Sequence, residues 1–348
     1  MSHPRPLAVG LHSVVLTIVF ARATLAQTNI DLMIKPFTEH TPIEINATGA
    51  MLAAGHTDNS SADYQLSLID LSARYRFAPG ERIDPRLGVS ATYLNFDTSD
   101  RTIPGAMLDA SVAVGFGVYE NASGWQGGVT LGVGYAGVAN GDTDNLFSDE
   151  NAWYGKASFI LGKHLNKTDA LLFVIDYDGN RTYKPDIPFP GIAYQKLIFG
   201  NPSPTADGMG PFEPQLLMTL GLPFASLHWE PIEHLTIDVS YLIPDDFAAR
   251  VDYDLVPRGK LGLFGSLDSR RNGFHWNRLR HGDDRVLFYQ RRAEVGLRWT
   301  PVKKVNLLVA GGYAFGQELT TGFDTSNDDK LADLGDRPYV RVGLEVGF

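Results

Sequence analysis

The sequence predicts an all-β fold: a closed antiparallel transmembrane β-barrel of about 14 strands, with 12 or 16 as the alternatives, short turns on one side and long loops on the other. Three observations predict it. Apolar residues recur at every second position through long stretches, a period that strands present and helices do not. The intervening positions are rich in glycine, alanine and serine, with only scattered charge. Glycine (36 residues) and aromatics (Tyr 14, Phe 19, Trp 5) are frequent, which favours strands and turns over helices.

Composition excludes several classes. The chain is 44% hydrophobic and 20% charged, so it is neither disordered nor a bundle of membrane helices. It contains no cysteine, which removes disulfides and any Cys-ligated zinc or iron–sulfur centre. A net charge of −10 lacks the electrostatic footprint of a nucleic-acid binder, so no nucleic-acid partner is expected.

Residues 1–26 read as a secretory signal peptide. Arg5 stands in a short n-region, an apolar run follows from Leu7 to Phe20, and small residues lead to Ala26. Cleavage there removes Arg5 and Arg22 and no acid, leaving −10 − 2 = −12. Residues 27–41 form an N-terminal segment, and 42–348 the barrel.

Along the barrel, "LDASVAVGFGV" sets Leu108, Ala110, Val112, Val114, Phe116 and Val118 on one face. "WQGGVTLGVGY" does the same with Trp125, Val129, Leu131, Val133 and Tyr135, and "VNLLVAGGYAF" with Val305, Leu307, Val309, Tyr313 and Phe315. These runs exceed the usual strand of about five or six residues and match the roughly 9–11 that cross a bilayer at a tilt. Aromatic residues at run ends (Tyr75, Phe77, Trp125, Tyr135, Trp153, Trp229, Tyr241, Trp299, Tyr313, Phe315) suit the two membrane interfaces.

Strands are expected near 42–54, 63–77, 85–96, 106–118, 124–136, 152–164, 169–178, 216–228, 235–243, 247–255, 260–267, 286–299, 304–315 and 338–348. The count becomes 12 if the pair within 247–267 lies outside the membrane, and 16 if the Pro-rich stretch 179–215 hides another pair. Connections alternate. Those at 78–84, 120–123, 165–169, 230–234, 256–260 and 300–304 are short, and those at 97–105, 138–150, 179–215, 268–285 and 317–337 are long. The final strand "YVRVGLEVGF" carries Val342, Leu344, Val346 and Phe348 on one face against Arg341, Gly343, Glu345 and Gly347. It is expected to close the sheet against the first strand, leaving no open edge in lipid.

A chain ending in "VRVGLEVGF" resembles the bacterial outer-membrane barrels, whose last strand commonly ends in phenylalanine. The resemblance implies a cell outer-membrane location, the lipid bilayer and the barrel assembly machinery as partners, and Phe348 as the assembly signal. The C-terminal part, through "MTLGLPFASLHWEP" (218–231), "LFYQRRAEVGLRWTPVKKVNLLVAGGYAFG" (287–316) and "PYVRVGLEVGF" (338–348), is similar to an uncharacterised outer-membrane barrel family known only as a domain of unknown function. That likeness covers the last 140 residues or so and implies a fold and a compartment, with no activity attached.

No catalytic, cofactor or metal site is expected, and the chain is not read as an enzyme. "GVGYAG" (132–137) fits a dinucleotide fingerprint by letter but lies inside an alternating strand with no helix after it. His228 with His234, and His275 with His281, read as solvated loop histidines. Acidic loops hold Asp142, Asp144, Asp149 and Glu150, and Asp324, Asp328, Asp329, Asp333 and Asp336, without EF-hand spacing. Arg74, Arg76, Lys156, Asp176, Asp238, Arg292, Glu294, Arg298, Arg341 and Glu345 fall on the polar strand face and are expected to line the lumen, together with Asp70. Arg291 breaks phase, and a bulge near 290–292 is expected to turn it inward.

The function expected is a porin-like channel for small solutes, its lumen narrowed by an infolded loop 179–215 and its mouth made cation-preferring by the acidic loops. The alternative is a non-conducting structural or surface-interaction barrel with charge pairs across its lumen. An outer-membrane hydrolase ranks third.

Overall fold

The computed structural model describes residues 42–57, 60–78, 83–100, 102–118, 124–139, 147, 149–200, 213–242, 246–256, 260–279 and 284–347. The signal-peptide reading, residues 27–41 and Phe348 lie outside them. Eighteen strands join one sheet. They are β1 (Ile43–Leu52), β2 (Gly55–Thr57), β3 (Ser60–Arg76), β4 (Ile83–Thr98), β5 (Ala106–Val118), β6 (Trp125–Ala139), β7 (Trp153–His164), β8 (Asp169–Asp178) and β9 (Phe189–Phe199). They continue with β10 (Gln215–Leu222), β11 (Phe224–Ile232), β12 (Leu235–Leu242), β13 (Asp246–Asp254), β14 (Leu261–His275), β15 (Arg285–Val302), β16 (Val305–Gly322), β17 (Asp329–Asp333) and β18 (Arg337–Gly347).

Sixteen of these close an antiparallel barrel, with the short β2 and β17 added at its rim. The seam is β1 against β18, from Glu44↔Gly347 to Leu52↔Tyr339. β18 also pairs with β16, and β1 with β3, so every barrel strand has two neighbours and no edge is open.

Alternation sets the two faces. On β3, Ile69, Leu71 and Tyr75 are exposed outward while Leu68, Ser72, Arg74 and Arg76 are buried. On β18, Val340 and Val342 face out while Tyr339 and Arg341 face in. A soluble fold would bury the apolar set. Here the apolar set is the exposed one and the charged set is shielded, the inversion a lipid-facing wall requires. Tyr75, Phe77, Trp125, Trp229 and Trp299 ring the end that carries the short turns, and Trp153, Tyr241 and Tyr313 the other, all exposed. Tyr135 differs: it is buried, packed under Phe147 and Trp153.

Three expectations need correction. Strand number is 16, because 216–228 holds two strands split at Pro223 and 179–215 contains β9. The 12-strand alternative falls, since β13 and β14 are full members of the wall, as the 14-strand reading had them, pairing from Ala248↔Asp268 to Asp254↔Gly262. The stretch 179–215 is not one infolded loop: its first part does cross the outer mouth, through Thr182 and Lys184, but its centre is the wall strand β9, and 201–212 lies outside the described residues. Its centre alternates buried Ala193 and Leu197 with exposed Ile192 and Ile198, and it pairs with β8 and β10. Pro190 is tolerated because β10 stops opposite Ile192, so the strand has a partner on one side only at that point. β9 thereby returns the chain to the short-turn end, and the long connection after it, of which 201–212 lies outside the described residues, starts from that end.

Arg291 is also corrected. The register does shift there, but the extra residue is on β16: Tyr289 faces Glu318 and Arg291 faces Phe315. Gly316, at φ +55°, takes the left-handed turn the bulge needs. Arg291 stays exposed, with its guanidinium over the Tyr289 ring and bonded to the Tyr289 hydroxyl. It sits beyond the strand centre, near the outer end, where an arginine costs lipid only about 0–1 kcal/mol.

Candidate functional site: the lumen and its outer strap

Because inward residues recur at every second position, each strand stacks its inward side chains in tiers. Near the short-turn end the tier is ionic. Arg76 and Arg86 each donate through Nε to Asp84 Oδ2, at 2.7 and 2.8 Å. Arg74 pairs with Glu44 on β1, and Arg298 with Asp254 on β13. Arg250 holds Asp252 at 2.6 Å. Glu345 accepts from Asn306 Nδ2 at 3.1 Å. On β11, His228 lies between Asp238 (Nδ1···Oδ1 2.7 Å) and Glu230 (Nε2···Oε1 3.2 Å).

The middle tier binds neighbouring strands and crosses the lumen. Arg292 donates to Asp268 Oδ2 at 2.8 Å. Glu294 collects Arg341 Nε at 2.9 Å, the Tyr339 hydroxyl at 2.9 Å and Ser266 Oγ at 3.0 Å. Arg270 reaches from β14 to Asp70 on β3 at 2.7 Å, although four barrel strands stand between them on the shorter way round. Asp176 accepts from Ser158 Oγ at 2.8 Å and Arg181 Nη2 at 2.6 Å, and Lys156 stands 3.3 Å from Asp178.

Beyond this the interior turns apolar. Leu66, Leu68, Leu94 and Phe96 of β3 and β4 meet Phe274 of β14 and Val286 and Phe288 of β15 in one buried cluster, with Phe96 and Phe288 edge to face at 6.2 Å. A second buried cluster joins Ile160, Leu172, Val174, Ala193 and Phe224 on the β7–β11 side.

The outer mouth is bridged. His275, at the end of β14, forms a parallel bridge with Gly137 of β6, and seven barrel strands separate β6 from β14 in either direction. His275 Nδ1 lies 2.7 Å from Asp149 Oδ2, and Asp149 also caps the 3-10 turn Glu150–Ala152 by accepting from Asn151 N. Across the same mouth, Thr325 N donates to Thr182 O (2.9 Å) and Lys184 N to Asp324 Oδ2 (3.2 Å). Arg285 Nη2 donates to Arg181 O at 3.0 Å and Phe323 O at 2.7 Å. The connections after β8 and β16 thus form a strap over the lumen.

Burial alone would raise the Asp324 carboxyl, but donors from Ser326 and Lys184 and the nearby Arg285 hold it below the ordinary value of 3.8. A depressed carboxyl stabilises the strap above its unfolded pKa and loses that contribution as pH falls through the lower folded one. The strap is therefore expected to hold at pH 5 and to loosen only below 3.8. Protease cleavage at Arg181 and Lys184, measured against pH with an acid-stable and a neutral protease, checks it.

All ten residues expected to line the lumen thus have ionic or hydrogen-bonded partners among the described residues. Sequence reasoning missed Glu44 and Asp84, on strands where it named no lumen residue, and Asp268 and Arg270, which it placed in the connection 268–285 and which lie on β14. It misread His228 and His275, which stand on β11 and β14 and are held by carboxylates, His228 by Asp238 of β12 and Glu230 of its own strand and His275 by Asp149 before the 3-10 turn. His281 lies outside the described residues.

No family model matches the chain, so the resemblance to an uncharacterised barrel family has no such support, and no curated protein matches it either. Solved structures do. An outer-membrane channel from Pseudomonas putida F1 is 13% identical, with 90% of this chain and 97% of that one covered and a TM-score of 0.35. A mutant of the TodX monoaromatic hydrocarbon channel is 9% identical over 94% and 95%, with a TM-score of 0.43. OpdQ from Pseudomonas aeruginosa is 10% identical over 89% and 99%, with a TM-score of 0.36. At such identities this chain is similar to β-barrels in fold, and what those names describe belongs to those proteins.

Proposed function

We propose that this protein is an outer-membrane barrel acting as a porin-like channel for small solutes, shut at its outer mouth in the conformation described. Strand number carries the reading. A barrel of about eight strands fills its interior with side chains, whereas about 16 leave room for a passage. The ionic tier near the short-turn end gives that passage a polar wall, and the apolar outward face with its aromatic girdles fits the bilayer. Insertion by the barrel assembly machinery belongs to the same reading, as does a preference for cations from the acidic outer loops, Asp324, Asp328 and Asp329 among them.

The test begins with the folded barrel, which is expected to migrate differently on SDS gels before and after boiling. Planar-bilayer recording of that material should then show discrete conductance steps and a reversal potential displaced toward the cation value in a salt gradient. A heat-modifiable barrel that never conducts would overturn the channel reading.

One observation favours a second reading. Asp70 and Arg270 join across the interior beneath an apolar cluster, as a non-conducting barrel with a filled lumen would require. Silence in the same recordings, with the strap cut as well as intact, would select it.

A further inference from the structure

The barrel wall is uneven in height. β14, β15 and β16 contain 15, 18 and 18 residues, and β3 and β4 contain 17 and 16. β10 and β12 contain only 8 each, and β11 and β13 only 9. The short-turn ends lie level, since Gln215↔Glu230, Leu235↔Tyr253 and Asp254↔Gly262 pair at or beside their turns. The deficit is therefore all at the outer rim, lowest where β10 passes into β11 through Pro223 alone. Eight residues rise roughly 27 Å along a strand and, at a tilt near 40°, about 20 Å along the barrel axis. An outer-membrane barrel presents an apolar band of about 25 Å. The lip at Leu222–Phe224 thus ends inside the depth that the outer leaflet's chains occupy.

The interior wall at this lip carries an apolar strip, with buried Thr219, Gln195 and Ser226 on the inward positions below it. Phe224 is buried and turned inward against Leu172, Val174 and Ala193, and Ile160 extends the strip toward β7. Leu222, the residue before the turn, is 65% exposed on the outer face. The lip leans over β9 because Gly191 has no Cβ: one placed there would stand 2.8 Å from Pro223 Cδ. Apolar side chains thus run from the buried strip of the inner wall, at the Phe224 ring, over Pro223 to the lipid side of Leu222. Among the described residues of the mouth, the strap lies across the other outer route.

Resting on the channel reading, we propose that small apolar solutes cross between the lumen and the outer leaflet over the lip at Leu222–Phe224, with the Phe224 ring as its gate. An apolar solute taking this route crosses the wall beside apolar groups, the tight outer strap need not open for it, and it meets the ionic tier only on leaving toward the short-turn end.

The test uses whole cells carrying the full-length protein in the outer membrane, with radiolabelled naphthalene as the probe. One variant raises the lip by adding a residue pair to each strand of the β10–β11 hairpin, which keeps the alternation. A second is Phe224→Ala. Heat-modifiable migration confirms that each folds. Naphthalene entry is expected to fall, in the raised-lip cells, to the level of cells without the barrel. Phe224→Ala is expected to speed it. Planar-bilayer conductance of the raised-lip variant should equal wild type. Equal naphthalene entry in wild type and the raised-lip variant would overturn the proposal, as would Phe224→Ala leaving entry unchanged. Absent conductance in every variant would count against the aqueous channel alone, because naphthalene entry reads the lip separately.

Discussion

A Thr182→Cys/Thr325→Cys variant is expected to be silent in planar-bilayer recordings when oxidised and to conduct once dithiothreitol is added. Thr325 N donates to Thr182 O at 2.9 Å, joining the connection after β8 to the one after β16. A direct backbone bond keeps two Cα atoms within the roughly 4.4–6.8 Å that a disulfide spans. The chain has no cysteine of its own, so one bond alone forms and one reductant reverses it. In wild type the strap is held by hydrogen bonds and the Arg285 contacts, each contributing on the order of 1 kcal/mol, or about 1.5–3 where charge is involved. Openings are therefore accessible thermally, whereas the covalent link removes them. Equal conductance in the oxidised and reduced forms would show that solutes pass elsewhere than through the strapped mouth. Thr182→Cys alone, oxidised in the same way, should behave as wild type.

The fold was legible from the sequence wherever one face is continuous. Leu108 to Val118 and Val305 to Phe315 announce β5 and β16 because lipid requires the outward side chains to be apolar, while the lumen accepts glycine, serine or charge. Closure was legible too, in the alternation of the last strand. What failed has a local cause. Seven prolines hid β9, because proline usually marks a connection, and only the early end of β10 shows why Pro190 is harmless. One residue, Pro223, separates β10 from β11, and no spacing rule flags a turn that short. The candidate site was half legible. Phase identifies an inward residue, so Arg292 and Glu294 could be named. Phase says nothing of partners on other strands, so neither the joining of Asp70 with Arg270 nor that of His275 with Asp149 could be read.

Glu294→Ala is expected to destabilise the barrel by about 3–5 kcal/mol, the usual cost of stranding one member of a buried pair. Glu294 is the acceptor for Arg341 Nε, the Tyr339 hydroxyl and Ser266 Oγ, and so links β14, β15 and β18 beside the closing seam. Its side chain and that of Arg341 are 4% and 8% exposed, so water replaces little of what is lost. Asp268, the other carboxylate of this tier, is occupied by Arg292. Removing both charges is a different matter. Glu294→Met/Arg341→Met leaves no stranded ion, and apolar replacement of a buried pair is often neutral. The double variant should therefore recover most of the loss, with Tyr339 keeping a residual deficit for its unpaired hydroxyl of about 1–3 kcal/mol. Urea unfolding of the barrel in lipid vesicles, followed by tryptophan fluorescence, measures all three proteins. A double variant as unstable as Glu294→Ala would mean that the pair's own attraction, not the stranded arginine, holds this part of the seam.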